Sequence, residues 1–113
     1  MATFDATWYP DAFLLMEGMR KTVYVVLATP EYSVMSSGDR LEFGSHASIT
    51  VGVVRRYPSI EALMEREGWQ CVLPDAESAE DAASQIRANP EWVAEQETEL
   101  GVLALRVRDA RRK

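Results

Sequence analysis

Three aromatic rings and six cationic side chains are the residues best placed by type to meet a ligand. Trp8, Tyr9 and Tyr57 offer flat faces on which a nucleobase can stack. Arg20, Lys21, Arg55, Arg56, Arg106 and Arg108 offer charges that can meet phosphates. The same rings also serve as core or rim packing in any small fold, and the same arginines as solvating charge. No P-loop, G-x-G-x-x-G, G-x-S-x-G or H-E-x-x-H pattern occurs. Ser45 and His46 do not form a nucleophile–base pair, because neighbours on a strand point to opposite faces; His46 reads as a solvated turn or strand-edge residue. Cys71 and His46 are each the only residue of their type, so neither an intrachain disulfide nor a zinc site is expected. No metal or cofactor is expected, and the lone cysteine fits a reducing, cytoplasmic setting.

The elements that must position these residues belong to a chain of 113 residues with Lys+Arg 12, Asp+Glu 18 and a formal net charge of -6. That length predicts a single domain over residues 1–113 with a core of its own. The apolar run at residues 22–30 is too short to span a bilayer, and with no base before Arg20 the start of the chain carries no secretory signal pattern. Net acidity argues against a simple electrostatic binder of nucleic acid. The charge is unevenly spread, however. Residues 58–100 hold 11 acids and 2 bases, and the remainder holds 7 acids and 10 bases. An acidic protein can therefore keep a mildly basic face outside its acidic block.

Residues 8–18 read as a short helix, with Pro10 in its first turn and Gly18 at its end. Residues 22–27 are β-branched and aromatic and predict a central strand. Ser36-Ser37-Gly38-Asp39 is a turn before a short strand at residues 40–43. The clearest strand is residues 47–57, with Ala47, Ile49, Val51 and Val53 on one face. Ser59 is a helix N-cap for residues 60–68, and Ser78 with Asp81 resembles a capping box for a second helix that Pro90 ends. Residues 69–73 are apolar and pinned to the core, and residues 91–99 add a helical turn or two. The last strand is residues 101–107, with Leu103, Leu105 and Val107 opposite Ala104, Arg106 and Arg108; the basic tail after it is expected to fray. Short strands with helices gathered in two places argue for an α+β fold around a small curled sheet or barrel.

The blocks Gly18-Met19-Arg20-Lys21-Thr22-Val23-Tyr24-Val25-Val26, Gly38-Asp39-Arg40-Leu41-Glu42-Phe43, Arg56-Tyr57-Pro58-Ser59-Ile60, Val72-Leu73-Pro74 and Gly101-Val102-Leu103-Ala104-Leu105 resemble, in order and spacing, the ASCH domain of the PUA-like superfamily. The resemblance covers nearly the whole chain. It implies a small PUA-like β-barrel with flanking helices and a cleft between the barrel and the first helix. It also implies RNA binding, as thought for the family, and points to some small bacterial members that hydrolyse N4-acetylcytidine to cytidine and acetate. Against the family's cleft signature, roughly G-x-K-x-x-E-x-R, Lys21 holds the Lys position. Met19 stands at the Gly, Tyr24 at the acidic position that is Thr in the amidohydrolases, and Val26 at the Arg. The acid that the amidohydrolases carry near the late helix falls on Pro74-Asp75-Ala76-Glu77.

Three functions follow. In the first, the cleft binds RNA or a nucleobase-containing small ligand through Trp8, Tyr9, Arg20, Lys21, Arg55, Arg56 and Tyr57. In the second, the resemblance puts Lys21 in the place of a nucleophile or base, and by their own chemistry Tyr24 Oη is the donor to a developing oxyanion and Asp75 or Glu77 the acid for the leaving amine. That chemistry needs a Lys whose pKa is lowered by burial or a neighbouring cation. In the third, the domain is a non-catalytic interaction module whose acidic helical block is its partner surface. None of the three involves a membrane, and the oligomeric state is left open.

Overall fold

The computed structural model covers residues 1–113. Strand β1 (Thr3–Asp5) leads to helix α1 (Pro10–Glu17) and strand β2 (Val23–Leu27), and a 3-10 turn at Tyr32–Val34 precedes β3 (Arg40–Phe43) and β4 (Ala47–Tyr57). Four helices follow, α2 (Ile60–Glu67), α3 (Trp69–Val72), α4 (Ala79–Arg87) and α5 (Ala94–Leu100), before the last strand, β5 (Val102–Arg112). The strands form one curled sheet in the order β1-β3-β4-β5-β2, a half-barrel whose two edges, β1 and β2, do not pair with each other. Only the β1–β3 pair is parallel. The fold is α+β, as the distribution of strands and helices predicts.

Alternation along β5 supplies both cores. Leu103, Leu105 and Val107 turn into the curl, where they meet Leu41, Phe43, Ile49, Val51 and the α1 residues Phe13 and Met16. Val102 and Ala104 turn outward under the helices, against Ile60, Leu63, Met64, Val72, Ala82 and Ala83. Burying a side chain the size of Leu105 contributes about 2–3 kcal/mol. The register between β4 and β5 shifts between Thr50 and Val54, and this bulge bends the ribbon. It also breaks the expected alternation: Val53 is exposed instead of following Val51 inward.

Both predicted caps are present. Ser59 Oγ accepts from Ala62 N–H, and Ser78 Oγ accepts from Asp81 N–H. Asp81 reaches back to Glu77 N–H, one residue before the position a capping box uses.

Several expectations are corrected. Strand β2 is an edge strand, not a central one; helices cover one of its faces and the curl the other, so its sequence reads as doubly buried. Lys21 and Thr22 lie outside it. Strand β1 is too short to carry a pattern. Residues 69–72 form helix α3. The last strand runs on through Arg112, held by the Arg112–Glu17 and Lys113–Glu42 ion pairs, so the tail is ordered and not frayed. Helix α1 ends at Gly18, its C-cap, as expected, and the left-handed residue that follows is Met19, with φ 62.

Candidate functional site

The unpaired edges of the half-barrel leave a seam, and a cavity of about 460 Å³ occupies it. Residues 5–7 form one wall and Tyr24, Val25, Val26 and Leu27 of β2 the other; Tyr9 and Tyr32 close in from the sides, and the α4–α5 connection with its Asn89, Glu91 and Trp92 lies across it. The size suits a small organic ligand.

The edge of β2 gives this cavity polar backbone. Ala28 N–H donates to Gly101 O and Val107 N–H donates to Thr22 O. Even-numbered residues of β2 therefore direct their backbone groups toward β5, matching the Tyr24–Leu105 and Val26–Leu103 register. Val25 consequently turns its N–H and C=O to the seam, where one donor and one acceptor stand side by side.

A hydrogen-bond chain fixes the outer wall. Tyr9 Oη donates to Glu91, Thr7 Oγ1 donates to Glu91 Oε1 at 2.6 Å, and Asn89 Nδ2 donates to Tyr9 Oη at 3.0 Å. These two donors hold the Glu91 carboxyl below its usual range, and the bond to Glu91 is the main cause that raises Tyr9. Trp92 Nε1 donates to the buried Glu97 at 3.0 Å, and Glu97 also takes Arg87 at 2.6 Å and Ile60 N–H at 3.2 Å. One carboxylate thus ties the cleft wall to α2 and α4. On the inner wall, Tyr24 is pushed far up by burial and then by the negative field of Tyr9, Tyr32 and Glu91, so its hydroxyl is protonated at neutral pH. Tyr32 Oη donates to Asp5 O at 2.5 Å and bridges the seam.

Of the residues expected at a site, Tyr9 and Tyr24 line the cleft. The others lie elsewhere. Trp8 stacks on His46, with ring centroids 4.8 Å apart and planes at 11°, and packs on Phe13 and Phe43. Tyr57 donates to Glu67, a buried carboxylate that also draws Arg55 at 3.4 Å and Arg106 at 3.7 Å. Arg56 donates to Leu100 O at 2.5 and 3.1 Å, Arg108 to Ser37 Oγ at 2.7 Å, and Arg20 pairs with Asp75 at 2.9 Å. Asp75 is on the surface with Arg20, not beside Lys21. Alternation along a strand puts Lys21 and Tyr24 on opposite faces. Because Lys21 precedes β2, its ammonium instead lies 5.6 Å from the Tyr24 ring centroid and donates to Val72 O. Lys21 is buried without an acidic partner, and burial lowers it to about 8. It does not line the cleft.

The cleft is set between the barrel edges and the α4–α5 connection, not between the barrel and α1; Tyr9, the N-cap of α1, is the link between the two descriptions. Tyr32, Asn89, Glu91 and Trp92 are the residues that sequence reasoning missed. For the last three the signal was a polar and aromatic connection, Asn89-Pro90-Glu91-Trp92, where helical periodicity stops. A second groove, about 540 Å³ between α2 and α4, has its Arg87 already held by Glu61 at 2.6 Å.

No protein-family model matches the chain, and no curated protein matches it significantly. Solved structures do match it, among them the following two. The crystal structure of the hypothetical protein PH0355 superposes with a TM-score of 0.85 at 24% identity, over 93% of this chain and 96% of that one. The chain shares its fold. The solution NMR structure of protein PF0455 from Pyrococcus furiosus gives 0.76, also at 24% identity, over 93% and 94%. At that identity the likeness to PH0355 and PF0455 is one of fold alone. No helix is long and apolar enough to cross a membrane, and no group of His, Cys, Asp and Glu side chains is arranged to hold a metal ion.

Proposed function

We propose that the protein is an ASCH-like, PUA-like domain that binds a nucleobase-containing small molecule in the seam cleft. The observation that carries this reading is the unpaired edge backbone of Val25, on a strand that pairs only with β5, beside the rings of Tyr32 and Trp92. A base presents donors and acceptors along one edge and a flat π-face on either side. The N–H and C=O of Val25 suit the edge, and Tyr32 and Trp92 suit the faces. An extended RNA chain is the weaker form of the same reading, because the arginines expected to meet phosphates are held by Asp75, Glu67 and Leu100 O, outside the cleft. Calorimetric titration with the common nucleosides tests it. Saturable binding to at least one of them is expected, weakened about tenfold or more by Trp92→Ala, in line with the worth of one base–aromatic stack. Wild-type protein that binds none of them excludes the reading.

One observation favours a catalytic version. A lysine lowered to about 8 by burial carries a useful fraction of free amine near neutral pH. N4-acylcytidine hydrolysis with Lys21 as nucleophile or base therefore remains the second proposal, with Tyr24 as donor to the oxyanion. It requires Lys21 to leave Val72 O, and an acid other than Asp75. Release of cytidine from N4-acetylcytidine that disappears in Lys21→Ala supports it; absence of release by the wild type removes it.

A further inference from the structure

We propose that the seam cleft selects a heteroaromatic base whose ring carries a positive charge and discriminates against phosphorylated forms. The proposal rests on the reading of the cleft as a nucleobase site and goes beyond it by naming the charge of the ligand. Asp5 and Glu91 are the only charged side chains that line the cavity; no Lys, Arg or His does. The rings of Tyr32 and Trp92 line the same space, and a ring quadrupole attracts a cation placed over its face; the Tyr24 ring beside them already carries the Lys21 ammonium at 5.6 Å.

Glu91 is prepared for such a ligand. It forms no ion pair, and two hydroxyls, from Thr7 and Tyr9, fix its orientation. A carboxylate has about four lone-pair positions, so roughly two stay free to accept from a ring N–H or an amino group. Preorganisation of this kind reduces the ordering cost of binding. The negative field of the cleft also registers on the tyrosines, since Glu91 contributes to raising Tyr9, Tyr24 and Tyr32. A phosphate brought into this cavity would face two carboxylates with no cation to neutralise it, a like-charge penalty that works against nucleotides.

The test is calorimetric titration of the full chain with matched pairs: adenosine against 1-methyladenosine, and cytidine against 3-methylcytidine, whose methylated rings are cationic at pH 7. The 5′-monophosphate of each methylated nucleoside and benzyltrimethylammonium complete the set. The methylated nucleosides are expected to bind about tenfold more tightly than their parents, the size of a desolvated cation–π contact. Their monophosphates are expected to bind more weakly than the nucleosides. Glu91→Gln should shrink the preference for the methylated form, while Glu95→Gln, an exposed acid on α5 that does not line the cleft, should preserve it. Parents that bind as tightly as the methylated forms overturn the charge selection and leave the nucleobase reading standing. Binding of benzyltrimethylammonium with no nucleoside bound overturns the nucleobase reading and keeps cation selection. A preference that survives Glu91→Gln in full overturns the role given to that carboxylate.

Discussion

Lys21 is the residue whose environment departs most from what its side chain prefers. A lysine almost never sits in a core without an acid to pair with it, because desolvating an ammonium is costly. Here the amine has one carbonyl, Val72 O, and the face of Tyr24. Its ordinary value is 10.5 and its folded value is about 8. Between these two values the unfolded chain holds the proton and the folded chain does not, so stability rises with pH across that window. Below about 8 both states are protonated and the cost of the buried charge is present in full. The gain across the window is about 3 kcal/mol. Urea denaturation from pH 7.5 to 10.5 should show this rise in the wild type, and the rise should be absent from Lys21→Met. Equal slopes for the two proteins would mean that Lys21 does not titrate with folding.

Among the elements, the connections on either side of β2 and β5 decide where the site sits, and two backbone positions there make opposite demands. Met19 takes a left-handed conformation at the end of α1, although its side chain is largely exposed and gains little there. A non-glycine residue pays for that conformation, and glycine does not. Met19→Gly should therefore raise stability by about 0.5–1 kcal/mol after allowing for the greater freedom of the unfolded chain. Gly101 is the converse. Its φ is 82, and a Cβ there would lie 2.5 Å from Tyr57 O, a backbone atom with no room to move. Gly101→Ala should cost about 2 kcal/mol or more, with the loss focused on the start of β5 and its pairing with Ala28. Thermal melts of the two variants read both effects, which should have opposite signs.

For the whole molecule, the distribution of charge matters more than its total. Most of the arginines outside the acidic block are engaged in ion pairs or hydrogen bonds, and none lines the cleft. A neutral nucleoside held in the seam therefore displaces no counterions. Its affinity should change by less than about twofold between low and high salt, whereas single-stranded RNA held by phosphate contacts would lose affinity with a log–log slope of about -0.7 per contact. Titration across a salt series separates the two, and a steep slope for the nucleoside would contradict binding in the seam.

What the sequence determined by itself was the set of local decisions. Ser59 and Ser78 cap their helices because a serine oxygen takes an orphan N–H wherever a helix starts. Residues 47–57 form a strand, and Leu103, Leu105 and Val107 share a face, because period-two alternation is a property of the strand alone. The α+β class follows from the same patterns. Tertiary structure decided everything that depends on which elements meet. Strand β2 became an edge because β5 pairs with it on one side and nothing pairs on the other, and no local pattern encodes the absence of a neighbour. The cleft lies at that edge, and Glu91, Trp92 and Asn89 reach it only because the α4–α5 connection crosses the seam. Tyr9 and Glu91 are 82 positions apart in sequence and bonded in space. Lys21 and Tyr24 meet because Lys21 lies just outside the strand whose alternation would have parted them. Contacts of this kind arise from the curl of the sheet and the path of its connections, which are properties of the assembled chain and of no segment in it.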